Sequence, residues 1–188
     1  MGPLMKDYGF DMTGAIDLLI LVMVSSGVFG FIYEVLFYRI DLGYFVKRGS
    51  TYGPWVPIYF FGGALFTLLV YRLKANPIAV FFSCVVVSGL LELVTGWILF
   101  EVFHTRLWDY NVEIWNWGNI GGYVCARSVM VFGAAGLLLI YMIIPLLSKP
   151  VTWINRSVMH PVCLILLGLC AADVILFALS GRKPGWRL

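Results

Sequence analysis

Four charged side chains fall inside stretches of the sequence that are otherwise apolar: Glu34, Glu92, Arg127 and Asp173. A charge at the centre of a membrane helix costs about 2.5 to 3.5 kcal/mol on insertion scales, so it is retained mainly where it is paired or lines a cavity. Buried carboxylates exchange protons, and a guanidinium binds an anionic group bidentately. Glu34, Glu92 and Arg127 therefore predict a solute-binding or catalytic site, or else a structural ion pair. Asp173, with no polar companion one turn away, is equally suited to pair with another subunit.

Small and polar residues recur at helical spacing around both glutamates. They are Ser26, Gly30 and Glu34 in one stretch, and Cys84, Ser88, Glu92 and Thr95 in the other. Residues three and four apart share one side of a helix, and such a stripe is typical of a bundle interior or a cavity wall. Gly118 and Gly122, at GxxxG spacing, favour close helix packing near Arg127.

The composition identifies the class of protein that positions these charges. Of 188 residues, 61% are hydrophobic and 12% are charged, against roughly 25% charged in soluble domains. An ordinary water-soluble globule is therefore excluded. The low charge, the many aromatics and the absence of a tripeptide repeat or a basic cluster also exclude disordered, collagen-like and nucleic-acid-binding proteins. We predict an all-α polytopic membrane bundle that forms a single integral membrane domain over residues 1–188.

Five apolar segments are long enough to cross a bilayer, which takes about 20 residues per helix. They lie near 15–38, 55–73, 77–103, 120–147 and 159–180. The second is the least regular, since Gly53, Pro54 and Pro57 stand at its start. A rise of about 1.5 Å per residue places the four buried charges in the same half of the bilayer. That half faces the loops that follow the first and third predicted helices.

The orientation follows from the Lys and Arg residues at the two faces. The face with those two loops and the carboxyl terminus carries seven, including Arg182, Lys183 and Arg187, and the other face carries five. Positive residues are retained on the cytoplasmic side, so we expect a cytoplasmic carboxyl terminus. No cleavable signal peptide is expected, because the first apolar run is longer than a signal core.

The loop after the third predicted helix also contains residues suited to acid–base chemistry. Glu101 and His104 lie one turn apart, and Asp109 stands between Trp108 and Tyr110. An aromatic belt at the interface explains most of the Trp and Tyr residues but not these three. They would supply an acid, a base and an orienting group, with Arg127 on a phosphate. The sequence has no nucleophile elbow, metal-ligand cluster or cofactor motif, so we expect no metal and no cofactor.

Four stretches between about residues 27 and 130 resemble the bacterial permease family described as "putative ABC-transporter type IV". The matching residues are Tyr33, Glu34 and Tyr38; Arg48, Gly49, Gly53, Pro54, Pro57, Ile58 and Tyr59; Leu91, Glu92, Thr95, Gly96, Trp97, Phe103, His104, Trp108, Asp109 and Tyr110; and Gly122, Tyr123, Cys125 and Arg127. The resemblance implies a bacterial inner-membrane protein. A complete ABC transporter needs a GxxxxGK[ST] phosphate loop, and this sequence contains none. A permease of this kind would therefore require a separate ATPase chain.

Three hypotheses follow. The first is a transport protein whose charged pocket binds the solute. Its predicted binding residues are Glu34, Glu92, Arg127, Arg48, Trp108, Asp109 and Tyr110. The second is a membrane enzyme that acts on a lipid or another amphipathic substrate through Glu101, His104 and Asp109. The third is an accessory subunit whose charges only lock helices together. The expected partners are membrane lipids, a second copy of the chain or an ATPase subunit, and no nucleic acid.

Overall fold

The computed structural model describes residues 1–180, which form helices joined by irregular loops and contain no β-strand. The helices are α1 (Gly2–Tyr8), α2 (Met12–Leu42), α3 (Pro57–Leu73), α4 (Pro77–Val102), α5 (Ala126–Trp153) and α6 (Arg156–Leu179). Four of them, α2, α4, α5 and α6, are long and apolar enough to cross a membrane, and α3 is a shorter apolar helix. The predicted all-α membrane bundle is confirmed.

The helix starts are encoded locally by capping residues. The side chain of Asp11 accepts from the Gly14 N–H at the start of α2, and Asn76 and Asn155 cap α4 and α6 in the same way. Such caps satisfy backbone donors that the first helical turn leaves without partners. Proline at the first position of α3 and α4 supports the same boundaries, because its fixed φ suits a helix start.

Helix α2 is the central element of the bundle, and it packs on α3, α6 and the second half of α5, while α4 packs on the first half of α5. Two of these contacts depend on glycine. A Cβ on Gly30 would lie 2.1 Å from the Tyr59 ring, and one on Gly136 would lie 2.3 Å from the Cys84 sulfur. The helices therefore approach one another more closely than larger residues would allow.

The fourth predicted membrane helix differs from the structure at both ends, and its end, predicted near residue 147, lies at Trp153. The predicted fourth membrane helix starts near residue 120, whereas α5 starts at Ala126. Gly118, Gly121 and Gly122 have φ values of +68°, +61° and +80°, a left-handed conformation that glycine adopts without steric cost. The GxxxG pair thus shapes a loop and does not pack a helix. Arg182, Lys183 and Arg187, which entered the orientation count, lie outside the described residues, so the orientation stays a prediction.

Candidate functional site

Four helix ends meet at one end of the bundle and are covered by two loops. These are the carboxyl-terminal parts of α2 and α4, the amino-terminal parts of α3 and α5, loop A (residues 43–56) and loop B (residues 103–125). A cavity of about 80 Å³ lies between them, and we call it the polar cavity. Its walls include the side chains of Glu34, Arg48, Glu92, Glu113 and Arg127. Both loops and three membrane-spanning helices therefore contribute a charge to one space.

The innermost pair joins α5 to loop B. Nη2 of Arg127 donates to Oε2 of Glu113 at 2.9 Å, and both residues are buried, with 9% and 7% of their surface exposed. The Tyr38 hydroxyl donates to the other oxygen of Glu113. The Arg127 guanidinium also lies 4.1 Å from the centre of the Phe37 ring, a geometry that stabilises a cation by the ring quadrupole. This pair therefore holds loop B against α5, and the Tyr38 hydroxyl holds it against α2.

Glu92 is held by two hydroxyl groups. Its Oε1 accepts from the Tyr110 hydroxyl at 2.5 Å and from Ser128 Oγ at 2.6 Å. Tyr110 lies in loop B outside the helices, and burial raises its pKa well above the usual value. The phenol therefore stays protonated and donates. Glu92 is buried, with 3% of its surface exposed. Both hydroxyl groups bind the same carboxylate oxygen, Oε1.

Arg48 links loop A to loop B and to α2. Its Nε lies 3.6 Å from Oε2 of Glu34, and its Nη2 donates at 3.0 Å to the Tyr38 hydroxyl and at 3.0 Å to the Leu107 carbonyl. The guanidinium stacks over the Tyr38 ring at 3.9 Å. Arg48 is therefore fixed in orientation while one edge of it faces the cavity.

Several buried polar atoms in this cavity have no hydrogen-bond partner among residues 1–180. They are Nε of Arg48, Nε and Nη1 of Arg127, and Oε2 of Glu92. A buried donor or acceptor left without a partner costs about 1 to 3 kcal/mol, and such groups are rare in folded proteins. Arg48, Glu92 and Arg127 all line the cavity, so water or another polar molecule within it would supply their missing partners.

The structure places all of the predicted binding residues along this cavity except Asp109. Asp109 instead pairs with Arg106 at 2.9 Å and accepts from Asn111, away from the cavity. A Cβ on Gly122 would lie 2.5 Å from the Asp109 carboxylate, which shows how closely loop B folds around this pair. Asp109 thus shapes loop B.

The residues proposed for acid–base chemistry are not brought together. Glu101 accepts from the Tyr123 hydroxyl at 2.6 Å, and His104 is exposed with a φ of +50°. Within the described part of the chain, no side-chain hydrogen bond joins His104 to Glu101 or Asp109. The hypothesis of an acid, base and orienter in this loop therefore gains no geometric support.

Asp173 anchors loop A to α6 of the same chain. Its carboxylate accepts from the Tyr52 N–H at 2.7 Å, the Gly53 N–H at 2.9 Å and the Trp55 indole N–H at 2.8 Å. The Asp173 carboxylate therefore has three donors within its own chain. Asp173 therefore positions the loop that carries Arg48.

Sequence reasoning missed Glu113 and Asp17. A buried Arg127 requires a counter-charge, but loop B contains two acidic residues, Asp109 and Glu113, and nothing in the spacing selects Glu113. Asp17 is buried in α2 near the opposite end of the bundle, where Nδ1 of His160 on α6 lies 2.7 Å from it. It was missed because it lies close to the start of its helix, where a charge can reach the interface.

The family model described as "Putative ABC-transporter type IV" matches residues 19–178 of the chain. The match begins inside α2 and ends inside α6, so it includes every residue of the polar cavity. No curated protein and no solved structure matches the chain.

Proposed function

This chain belongs to the "Putative ABC-transporter type IV" family, and from that premise we propose that it is the membrane-embedded component of a transporter, with the polar cavity as its binding site for an anionic group. The apolar helices and the family together make it a multi-pass membrane protein. The observation that carries the proposal is that Nε and Nη1 of Arg127 have no hydrogen-bond partner among the described residues, and that Nε of Arg48 has only the longer ion pair with Glu34, while both arginines line the cavity. A carboxylate or phosphate oxygen is the acceptor that guanidinium groups bind best.

The size of the cavity limits what enters it. About 80 Å³ is room for only a few water molecules. A carboxylate or phosphate head is of this order, and a larger solute would have to extend beyond the cavity walls. The bound group is therefore compact.

The charges of the cavity couple anion binding to proton uptake. Glu34, Glu92 and Glu113 supply three carboxylates against the guanidiniums of Arg48 and Arg127. A bound anion adds a further negative charge, and uncompensated buried charge is costly. A proton on Glu92 relieves this excess and lets Oε2 donate to the anion. The titratable groups around Glu92 are Tyr59, Tyr110, Glu34, Glu113 and Arg127.

The family description supports a proposal for the energy source and the assembly. The sequence contains no phosphate-cradling loop, so we propose that an ATPase subunit is a separate chain. We further propose an inner-membrane location with the carboxyl terminus in the cytoplasm, and assembly with that ATPase or with a second copy of this chain.

Binding of small anions by the purified chain tests the proposal. With acetate and inorganic phosphate as probes, we expect at least one to raise the Tm in a saturable manner, since a ligand at a hundred times its Kd stabilises by about 2.7 kcal/mol. The shift should be lost in Arg127→Gln and kept in Arg106→Gln, which changes an arginine outside the polar cavity. Absence of any shift, or an equal shift in both variants, would overturn the proposal.

The pH dependence of acetate binding tests the role of Glu92. We expect acetate to bind more tightly as the pH falls from mildly alkaline to mildly acidic, because the excess negative charge in the cavity is then neutralised. In Glu92→Gln this dependence should become weaker, since the amide donates at any pH while Glu34 and Glu113 remain in the cavity. Glu101→Gln is the matched control on the same helix, because Glu101 is exposed, and it should behave as wild type. A Glu92→Gln variant with an unchanged pH profile would remove Glu92 from the account.

A further inference from the structure

A second, larger cavity lies beside the polar cavity. It has a volume of about 390 Å³ between α2, α3 and α5, within the range of small-ligand sites, and we call it the lateral groove. Tyr33 and Tyr59 line both spaces. The two spaces are therefore adjacent, one charged and one apolar, and they meet at these two rings.

The lateral groove extends from the polar cavity toward the middle of the bundle. On α2 it continues from the level of Glu34 to Ser26, eight residues or about 12 Å along the helix axis. On α5 it continues from the level of Ser128 to Ile143, about 22 Å farther along the helix. Both directions lead away from loops A and B. A molecule with its charged end between the arginines would therefore have its remainder at the depth of hydrocarbon.

The walls of the lateral groove are almost wholly apolar, and one side is open. Phe29, Leu36 and Leu138 line it and are 53%, 57% and 48% exposed on the outer face of the helices. These three residues lie in membrane-spanning helices, so the opening faces the acyl chains of the bilayer. If a methylene takes about the 30 Å³ of a water molecule, the groove holds about a dozen methylenes. The groove is therefore of a size that suits one hydrocarbon chain of medium length.

We infer that the site takes an amphiphile with one hydrocarbon chain, whose anionic head lies between Arg48 and Arg127 and whose chain lies in the lateral groove. This inference rests on the proposed function and names its substrate class. The arginines supply the charge complementarity for the head. The shared tyrosines mark the boundary at which the head and the hydrocarbon chain of such a molecule would join. The side opening lets the chain enter from the bilayer without crossing water.

Substitutions at neighbouring positions of α5 test binding of the hydrocarbon chain separately from binding of the anionic head. Ala135 lines the lateral groove, whereas Ala134, which is also exposed, does not. Ala135→Trp should fill the groove, and Ala134→Trp places the same ring on the outside. Leu138→Trp fills the groove from a second position, so the test does not depend on the folding of one variant.

The experiment measures the probe retained by the chain in phosphatidylcholine nanodiscs by native mass spectrometry. The probes are dodecyl phosphate, dodecanoate and uncharged dodecanol, compared with inorganic phosphate and acetate. Wild type and Ala134→Trp should retain a charged amphiphile in preference to dodecanol. Ala135→Trp and Leu138→Trp should retain at least about tenfold less, as expected when about two methylenes lose their site, while still binding the short anion. Arg127→Gln should lose both.

The outcomes distinguish the two proposals. The amphiphile inference is overturned if Ala135→Trp and Leu138→Trp both retain the charged amphiphiles as well as wild type does. It is also overturned if wild type retains dodecanol as strongly as the charged amphiphiles. Either result leaves the anion site intact. If Arg127→Gln binds every charged probe as tightly as wild type does, the proposed function itself is overturned.

Discussion

Arg127→Met is expected to lower the free energy of unfolding by about 3 to 5 kcal/mol, the usual cost of breaking a buried ion pair from one side. Glu113 has only 5% of its side chain exposed, so its carboxylate would be left buried with the Tyr38 hydroxyl as its remaining donor. The loss should be measured by denaturant unfolding of the purified chain. Loop B, which carries Glu113, should also become less protected from hydrogen exchange.

A double-mutant cycle identifies the cause of that loss. Adding Glu113→Gln to Arg127→Met removes the stranded charge, so the double variant should be more stable than Arg127→Met alone. Arg106→Met is the matched control, because Arg106 pairs with Asp109 nearer the surface and such pairs contribute at most about 1 kcal/mol. If Glu113→Gln gives no recovery, the Arg127–Glu113 pair is not what stabilises the site.

Asp173→Ala is expected to cost about 2 to 4 kcal/mol and to free loop A. The Gly53 and Trp55 N–H groups, which are partly buried, would lose their acceptor, and each such loss costs about 1 to 3 kcal/mol. Hydrogen–deuterium exchange should show faster exchange over residues 48–56, together with the fall in stability. Since loop A carries Arg48, anion binding should weaken as well.

The matched control for Asp173 is Asp7→Ala. Asp7 also pairs across the chain, with Lys74, but at an exposed position where the pair is worth at most about 1 kcal/mol. Equal stability losses in the two variants, or an unchanged exchange rate in loop A of Asp173→Ala, would show that Asp173 does not anchor the loop.

The helices were largely predictable because their signals are local. Asn76 followed by Pro77 marks the start of α4 in both the sequence and the structure, since capping depends only on neighbouring residues. The start of α5 was not predictable in the same way. The segment around Gly118 and Gly122 is apolar enough to continue a helix, and only its left-handed backbone shows that it does not.

The level of the site along the bundle was predictable from the sequence, but the contacts between its residues were not. The rise per residue places Glu34, Glu92 and Arg127 at one level, and the structure places all three along one cavity. Their partners are Arg48, Tyr110 and Glu113, which lie in loops A and B. Loop conformation depends on tertiary contacts that no local pattern encodes, so the sequence alone did not show which acid faces which base.

A crystal structure of the chain grown in a lipidic mesophase, after purification from its own membrane, tests the anion site most directly. The account predicts non-protein density within hydrogen-bonding distance of Arg127 Nε or Nη1 and of Glu92 Oε2, with a narrow extension past Tyr59 between α2 and α5. A polar cavity closed by direct bonds between these side chains and other protein groups would contradict it, and would leave the charges with the role of holding helices together.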